Sequence, residues 1–226
     1  MKELGLEQIE QADSRVELVL EKITDAVITG HFKPGTKLVE ARLANQLGVS
    51  RGPVREAIRR LEQVGVVERI PYRGAFVSSL TERDIQELHG VRWALESLGA
   101  RILTETRDEG KFSKLEIILD NMREAAQEGD QAMVVALDAE FHDTLIELSE
   151  NKLLGEVWAT VSVHVQRFLY LRRERRYQML EDAVKVHEPI LKAMRSGNVQ
   201  LVEEELRKHI PASVKLLGEW ENDDFK

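Results

Sequence analysis

One short stretch interrupts an otherwise helical pattern. Between Val66 and Ser79 the β-formers Val66, Val67, Ile70, Phe76 and Val77 flank Pro71-Tyr72-Arg73-Gly74, which reads as a small hairpin. Elsewhere apolar residues recur at three- and four-residue spacing. Three helices are predicted before the hairpin and six after it. The expected fold is mainly α: an N-terminal domain of three helices and a small β-hairpin, then a C-terminal all-α antiparallel helical bundle.

The first predicted helix, Ser14 to Thr29, carries Val16, Val19, Leu20, Ile23, Val27 and Ile28. Gly30 ends it and Pro34-Gly35 turns the chain. A short helix fits Glu40 to Leu47, with Leu43, Ala44 and Leu47 inward. Gly48-Val49-Ser50 breaks the pattern, and a third helix runs from about Arg51 to Gln63, with Ser50 as a good N-cap and Pro53 in its first turn. Thr81-Glu82-Arg83-Asp84 then opens the bundle as a capping box with Asp in place of Glu. The six later segments are roughly 81–106, 111–128, 130–149, 151–174, 178–196 and 198–219. Gly110, Glu128-Gly129-Asp130, Glu150-Asn151 and Ser196-Gly197-Asn198 mark the breaks. The boundary falls near 78–81, dividing an N-terminal domain, 1–79, from a helical-bundle domain, 80–226.

Composition removes several function classes. The 226 residues contain no cysteine, which excludes disulfide frameworks, thiolate metal sites and cysteine nucleophiles. No apolar run approaches a membrane span, and Met1 to Glu10 lacks the basic and apolar regions of a signal peptide. A cytoplasmic protein without a membrane partner is expected. The net charge of −8 argues against a polyanion only if it is evenly spread. It is not: residues 33–73 hold nine Lys and Arg against four Asp and Glu, while residues 74–226 hold twenty against twenty-nine. The local field is what nucleic acid meets.

Two helices joined by a short Gly-containing turn, with positive charge on the second, describe a helix-turn-helix. Arg51, Arg55 and Arg59 share one face of the third helix, and Val54, Ile58 and Leu61 share the opposite face. Three aligned arginines repel one another unless an anion meets them, and a DNA major groove supplies phosphates and guanine edges. Tyr72-Arg73-Gly74 is the expected wing tip, reaching the adjacent minor groove or backbone.

The run from Gly30 to Leu38, Leu43-Ala44, and Gly48-Val49-Ser50-Arg51-Gly52-Pro53-Val54-Arg55-Glu56-Ala57-Ile58-Arg59-Arg60-Leu61 resembles the DNA-binding domain of the GntR superfamily of bacterial transcription regulators. The resemblance implies a winged helix-turn-helix that binds a palindromic double-stranded operator as a homodimer. It implies contacts from Arg51 and Arg55, with Ser50 and Gly52 beside them and Arg73 and Gly74 at the wing. Many members carry an Arg before the Glu-Leu-Ala of the second helix. Here that position is Ala41, and Arg42 follows as the candidate contact.

The bundle holds a second constellation. Asp138 and His142 lie four apart on one helix, and His187 and His209 lie on two later helices. Antiparallel packing can bring such faces together. One carboxylate and three imidazoles suit Zn²⁺ or Ni²⁺, with Mn²⁺ also compatible. The same residues also read as surface or satisfied core groups. His31, His89 and His164 are read as ordinary histidines, His89 being a candidate for the cavity wall.

Asp138-x-x-x-His142, Val186-His187-Glu188-Pro189-Ile190-Leu191, Leu206-Arg207-Lys208-His209-Ile210 and Val91-Arg92-Trp93-Ala94-Leu95-Glu96 are similar to the effector domain of the FadR subfamily, in its VanR-like six-helix form. That resemblance implies a divalent metal on Asp138, His142, His187 and His209, with a small organic or sugar acid beside it. Arg92 is the implied cationic partner of the acid, and Arg167 is a weaker candidate. Pro189 departs from the usual Arg or Lys-like residue and is a possible kink. The expected function is a metabolite-responsive transcription regulator rather than an enzyme. The competing readings are a metal-dependent enzyme acting on a small organic acid, with Glu140 and Asp143 as surface or outer-shell residues, and a nonspecific architectural DNA binder.

Overall fold

The computed structural model describes residues 12–171 and 180–215. The reading of Met1 to Glu10 as lacking a signal peptide, and the predicted helical stretches 172–174, 178–179 and 216–219, lie outside the described residues. The chain divides into two compact units between Ser79 and Leu80.

The first unit packs three helices on a small sheet. Helix α1 (Ala12–Ile28) buries Val16, Val19, Ile23 and Val27, a three-four-four spacing that makes one apolar stripe. Helix α3 (Arg51–Gln63) answers with Val54, Ala57, Ile58 and Leu61, all almost fully inaccessible. Between them, α2 (Glu40–Leu47) buries Leu43 and Ala44 and ends at Gly48, whose φ of 66° is the left-handed conformation a helix C-cap takes. Both the Gly48 and Val49 N–H groups bond to the Ala44 carbonyl, which sets the tight turn into α3.

The predicted hairpin forms as β2 (Val67–Ile70) and β3 (Gly74–Val77), with Val67 opposite Val77 and Ile70 opposite Gly74. The sheet has one strand more than the hairpin. Strand β1 (Lys37–Leu38) pairs antiparallel with the other edge of β3, giving the order β1-β3-β2. The Pro34-Gly35 turn swings this segment back, and the Gly35 N–H meets the Val77 carbonyl at 2.8 Å. Two residues are too few to show alternation, so the sequence pattern left this strand unread.

The second unit contains, among the described residues, six helices: α4 (Glu82–Thr106), α5 (Glu109–Glu128), α6 (Gln131–Leu148), α7 (Lys152–Leu171), α8 (Glu181–Ser196) and α9 (Val199–Lys215). The Thr81–Asp84 capping box at the start of α4 is present, with both reciprocal bonds. Gly110 is not a break. It lies in the first turn of α5 because Asp108 caps that helix, accepting from the Gly110 and Lys111 N–H groups. Pro189 sits inside the continuous helix α8. Phe112, Leu115, Met122, Phe141, Leu145, Ile190, Met194 and Leu206 belong to one apolar core to which all six of these helices contribute. None of the described helices is long and apolar enough to cross a membrane.

Candidate functional site

The first candidate site is the solvent face of α3 with the wing. Arg51, Gly52, Arg55 and Arg59 are exposed there, and Arg42 is exposed on α2. Two of the three aligned arginines already meet carboxylates of the protein itself. Arg55 Nε donates to Glu40 at 3.1 Å, and Arg59 makes a two-pronged pair with Glu56 at 2.9 and 2.6 Å. The same helical spacing that aligns the arginines also brings Glu56 alongside, and α2 begins with Glu40 facing α3. Arg59, and with it Arg60, holds the Glu56 carboxyl down to about 2. Arg51 has no carboxylate partner among the described residues. Ser50 stands at the N-cap position in an extended conformation, but its side chain makes no capping bond. The hydroxyl is therefore not engaged as the sequence predicted.

At the wing, Arg73 and Lys37 lie over the Phe76 ring, 5.7 and 5.8 Å from its centroid. Gly74 has φ 109°, a backbone conformation that favours glycine.

The second candidate site lies in the middle of the bundle. Helix α6 supplies Asp138 and His142, α8 supplies His187 and α9 supplies His209, and all four are buried. The nearest ring nitrogens of the three histidines lie within 4.8 Å of one another, a group able to hold a metal ion. His142 Nε2 is 3.1 Å from His187 Nε2 and 3.0 Å from His209 Nε2. Asp138 Oδ1 is 3.5 Å from His187 Nε2, at the margin of the cluster.

Hydrogen bonding fixes one of the tautomers. His187 Nδ1 lies 2.6 Å from the Ala183 carbonyl one turn earlier, so Nδ1–H donates and Nε2 carries a lone pair. His142 Nδ1 lies 2.7 Å from Glu96 Oε2, a charge-pair distance without hydrogen-bond alignment. The His187 lone pair faces His142 Nε2 at 3.1 Å, where a shared proton or a metal ion satisfies both nitrogens. Ligands at about 2.1 Å from a metal are separated by about 3.0 Å at a right angle and about 3.4 Å at the tetrahedral angle. The observed 3.0 and 3.1 Å fall in the range that ligands of one ion span. Burial, followed by the neighbouring His187 and His142, pushes the His209 imidazole well below its usual range and keeps it neutral, the form that ligates.

Glu96 is the residue that sequence reading missed as part of the site. It is fully buried on α4, accepts from Arg92 Nε, and brings its other carboxylate oxygen to 2.7 Å from His142 Nδ1. Its signal was present in the four-residue spacing from Arg92, which places both side chains on one face. Arg92 is 2% exposed, and its Nη2 is buried without a hydrogen-bond partner among the described residues. Arg167 on α7 is also buried, and that burial lowers its guanidinium to about 10. Asp143 is half-buried rather than at the surface, because it accepts from Trp158 Nε1 at 2.6 Å and Gln166 Nε2 at 3.0 Å. Its carboxyl is raised by burial. Glu140 is exposed. His89 packs edge-on against Phe168 at 5.8 Å and is lowered to about 4 by burial and by Arg92, which places it on the Arg92 side of the cluster. His31 is exposed and His164 half-buried.

A helix-turn-helix with a basic face and a wing, followed in the same chain by a helical unit, is the architecture of a DNA-binding regulator. Residues 15–77 match the family of bacterial regulatory proteins of the gntR type, and residues 87–212 match the FCD domain. The chain belongs to the GntR family of transcription regulators, in the group that carries an FCD effector domain, and its relatives are regulators rather than enzymes. Such regulators bind DNA operators and typically act as dimers. The chain is 30% identical to a probable D-xylose utilization operon transcriptional repressor of Paenarthrobacter nicotinovorans, over 82% of this chain and 81% of that one. It is 28% identical to the gluconate operon transcriptional repressor of Bacillus subtilis, over 81% and 76%. Among solved structures it superposes on a GntR transcriptional regulator from Rhodococcus sp. RHA1 with a TM-score of 0.74 at 26% identity, covering 92% of this chain and all of that one. McbR of Escherichia coli shares the fold with a TM-score of 0.77 at 21% identity, over 90% and 96%.

Proposed function

We propose that this regulator is a metal-containing, acid-responsive repressor. A divalent ion, Zn²⁺, Ni²⁺ or Mn²⁺, is held by Asp138, His142, His187 and His209. The carrying observation is the buried convergence of His142, His187 and His209, whose ring nitrogens lie within 4.8 Å of one another with Asp138 at the margin. A small organic or sugar acid binds beside the ion. Its carboxylate meets Arg92, whose buried Nη2 lacks a partner, and Arg167 adds positive charge from α7. The gluconate and D-xylose operon repressors among its relatives support this class of effector.

The DNA half of the reading assigns base and phosphate contacts to Arg42, Ser50, Arg51, Gly52, Arg55 and Arg59, with Arg73 and Gly74 at the wing. A homodimer on a palindromic operator follows from the two-fold symmetry such operators share with the proteins that read them. Effector binding changes operator affinity by favouring one arrangement of the paired reading heads over another. The test combines elemental analysis with thermal-shift screening of the metal-loaded protein against organic and sugar acids. The reading predicts about one metal per chain, stabilisation by a carboxylate but not by its neutral amide, and release of a selected operator duplex by the same acid. Protein with no bound metal after loading, or equal stabilisation by acid and amide, overturns it.

A further inference from the structure

The wing tip holds an aromatic residue where the backbone favours none. The Arg73 N–H bonds to the Ile70 carbonyl at 3.1 Å, closing the four-residue turn Ile70-Pro71-Tyr72-Arg73. Pro71 is locked at negative φ, and Tyr72 has φ 61°. A turn whose third residue alone has positive φ is type II, and that position calls for Gly or Asn. Tyrosine there is strained. The other two non-glycine residues with positive φ, Arg107 and Glu150, both follow helix ends, where the left-handed conformation terminates the helix. Tyr72 terminates nothing.

The ring also gains nothing from its own fold. Its relative exposure is 108%, the largest among the exposed apolar and aromatic residues of the described chain. A strained and fully solvated aromatic at a loop tip is the feature to expect at a contact with a partner. The surroundings identify the partner's chemistry. Arg73 and Lys37 both lie close to the Phe76 ring at the base of the wing, and the loop from Pro71 to Gly74 carries no acid. An aromatic tip on a wing whose base carries two cations suits a groove walled by phosphates and lined by sugars and base edges.

The geometry points to Tyr72 as a minor-groove wedge: its ring enters the groove beside the major groove read by α3 and presses on a base step. It thereby adds a preference for a deformable pyrimidine–purine step at a position no side chain reads by hydrogen bonding. This rests on the proposed reading of DNA by α3, and the controls below separate the two.

The test uses the full-length protein and a duplex selected by the wild type from a randomised library, with 2-aminopurine placed in turn at each step flanking the α3 footprint. Tyr72→Gly relieves the strained φ, so its melting temperature is expected to equal or exceed that of the wild type. Its affinity for the selected duplex falls about tenfold, while that for random duplex changes about twofold or less. Its salt slope is unchanged, whereas Arg73→Ala loses slope by about one. Tyr72→Phe stays within about twofold of the wild type, because a wedge needs the ring and not the hydroxyl. The wild type brightens 2-aminopurine at one step and Tyr72→Gly does not. Tyr72→Gly binding as the wild type does, or losing equally on selected and random duplex, overturns the wedge. If Arg55→Ala binds normally while Tyr72→Gly does not, the α3 reading fails and the wedge stands.

Discussion

The two units contain the same chemical pair in opposite surroundings. On α3, Arg59 is joined to Glu56, and the side chains are 54% and 34% exposed. On α4, Arg92 is joined to Glu96, and the corresponding values are 2% and 0%. In water the first pair is screened and adds little to stability, so its arginine can exchange a glutamate for a phosphate at small cost. In the bundle core neither partner can be replaced by solvent, and the pair is retained as a fixed polar frame. Exposed ion pairs keep a binding surface soluble until the ligand arrives, whereas buried ones hold a site in shape.

The largest test of this contrast is removal of Glu96. Glu96→Ala leaves Arg92 buried without its carboxylate, so a loss of about 3–5 kcal/mol is expected in urea denaturation. A loss below about 1 kcal/mol would mean that the core pair behaves like a surface one. Metal ligation gives the next effect. His187→Ala and His209→Ala should each lower metal content by elemental analysis. They should also abolish the stabilisation that metal at a hundredfold excess over its dissociation constant supplies, about 2.7 kcal/mol. Unchanged stoichiometry removes that histidine from the site.

On the exposed side, Arg55→Ala should weaken operator binding by about 1–3 kcal/mol if the guanidinium reads a base. Equal weakening on random duplex reduces it to a phosphate contact. Acidification probes the core again. His89, lowered to about 4, and His209, lowered well below its usual range, stay neutral in the native state, while their unfolded counterparts protonate near pH 6.5. The unfolded state therefore binds more protons as pH falls below about 6.5, and native stability should decline from there towards pH 4. Urea midpoints of metal-free protein at pH 7.5 and pH 5 measure this, and a flat profile would show that the imidazoles protonate in place. The smallest effect is expected from Glu56→Gln. It should leave the urea midpoint unchanged while strengthening binding to random duplex, because Arg59 then meets DNA without an internal competitor.

Much of the fold was legible because it rests on local rules. The spacing of Val16, Val19, Ile23 and Val27 gave α1, Thr81 with Asp84 gave the start of α4, and Pro71 to Gly74 gave the hairpin turn. Misreadings arose where one signal overruled another. Gly110 looked like a break, but Asp108 had already capped the helix. Strand β1 was invisible because two residues carry no period, and only its pairing with β3 defines it. The aligned arginines were legible as a stripe, but their engagement with Glu40 and Glu56 was not, since Glu40 reaches Arg55 only through the α2–α3 turn. Glu96 was overlooked as a site residue because a carboxylate four residues from an arginine is ordinary on any helix until burial makes it exceptional.

Residue order by itself determined the helix faces, the single hairpin and the candidate ligands, because side-chain periodicity and turn chemistry act over a few residues. Tertiary structure alone decided that His142, His187 and His209, drawn from three helices and separated by up to 67 residues, meet at about 3 Å. It also decided which ring nitrogens point inward and that the wing tip presents a bare tyrosine. Those outcomes depend on how helices cross and what they exclude from water, and no local pattern encodes either.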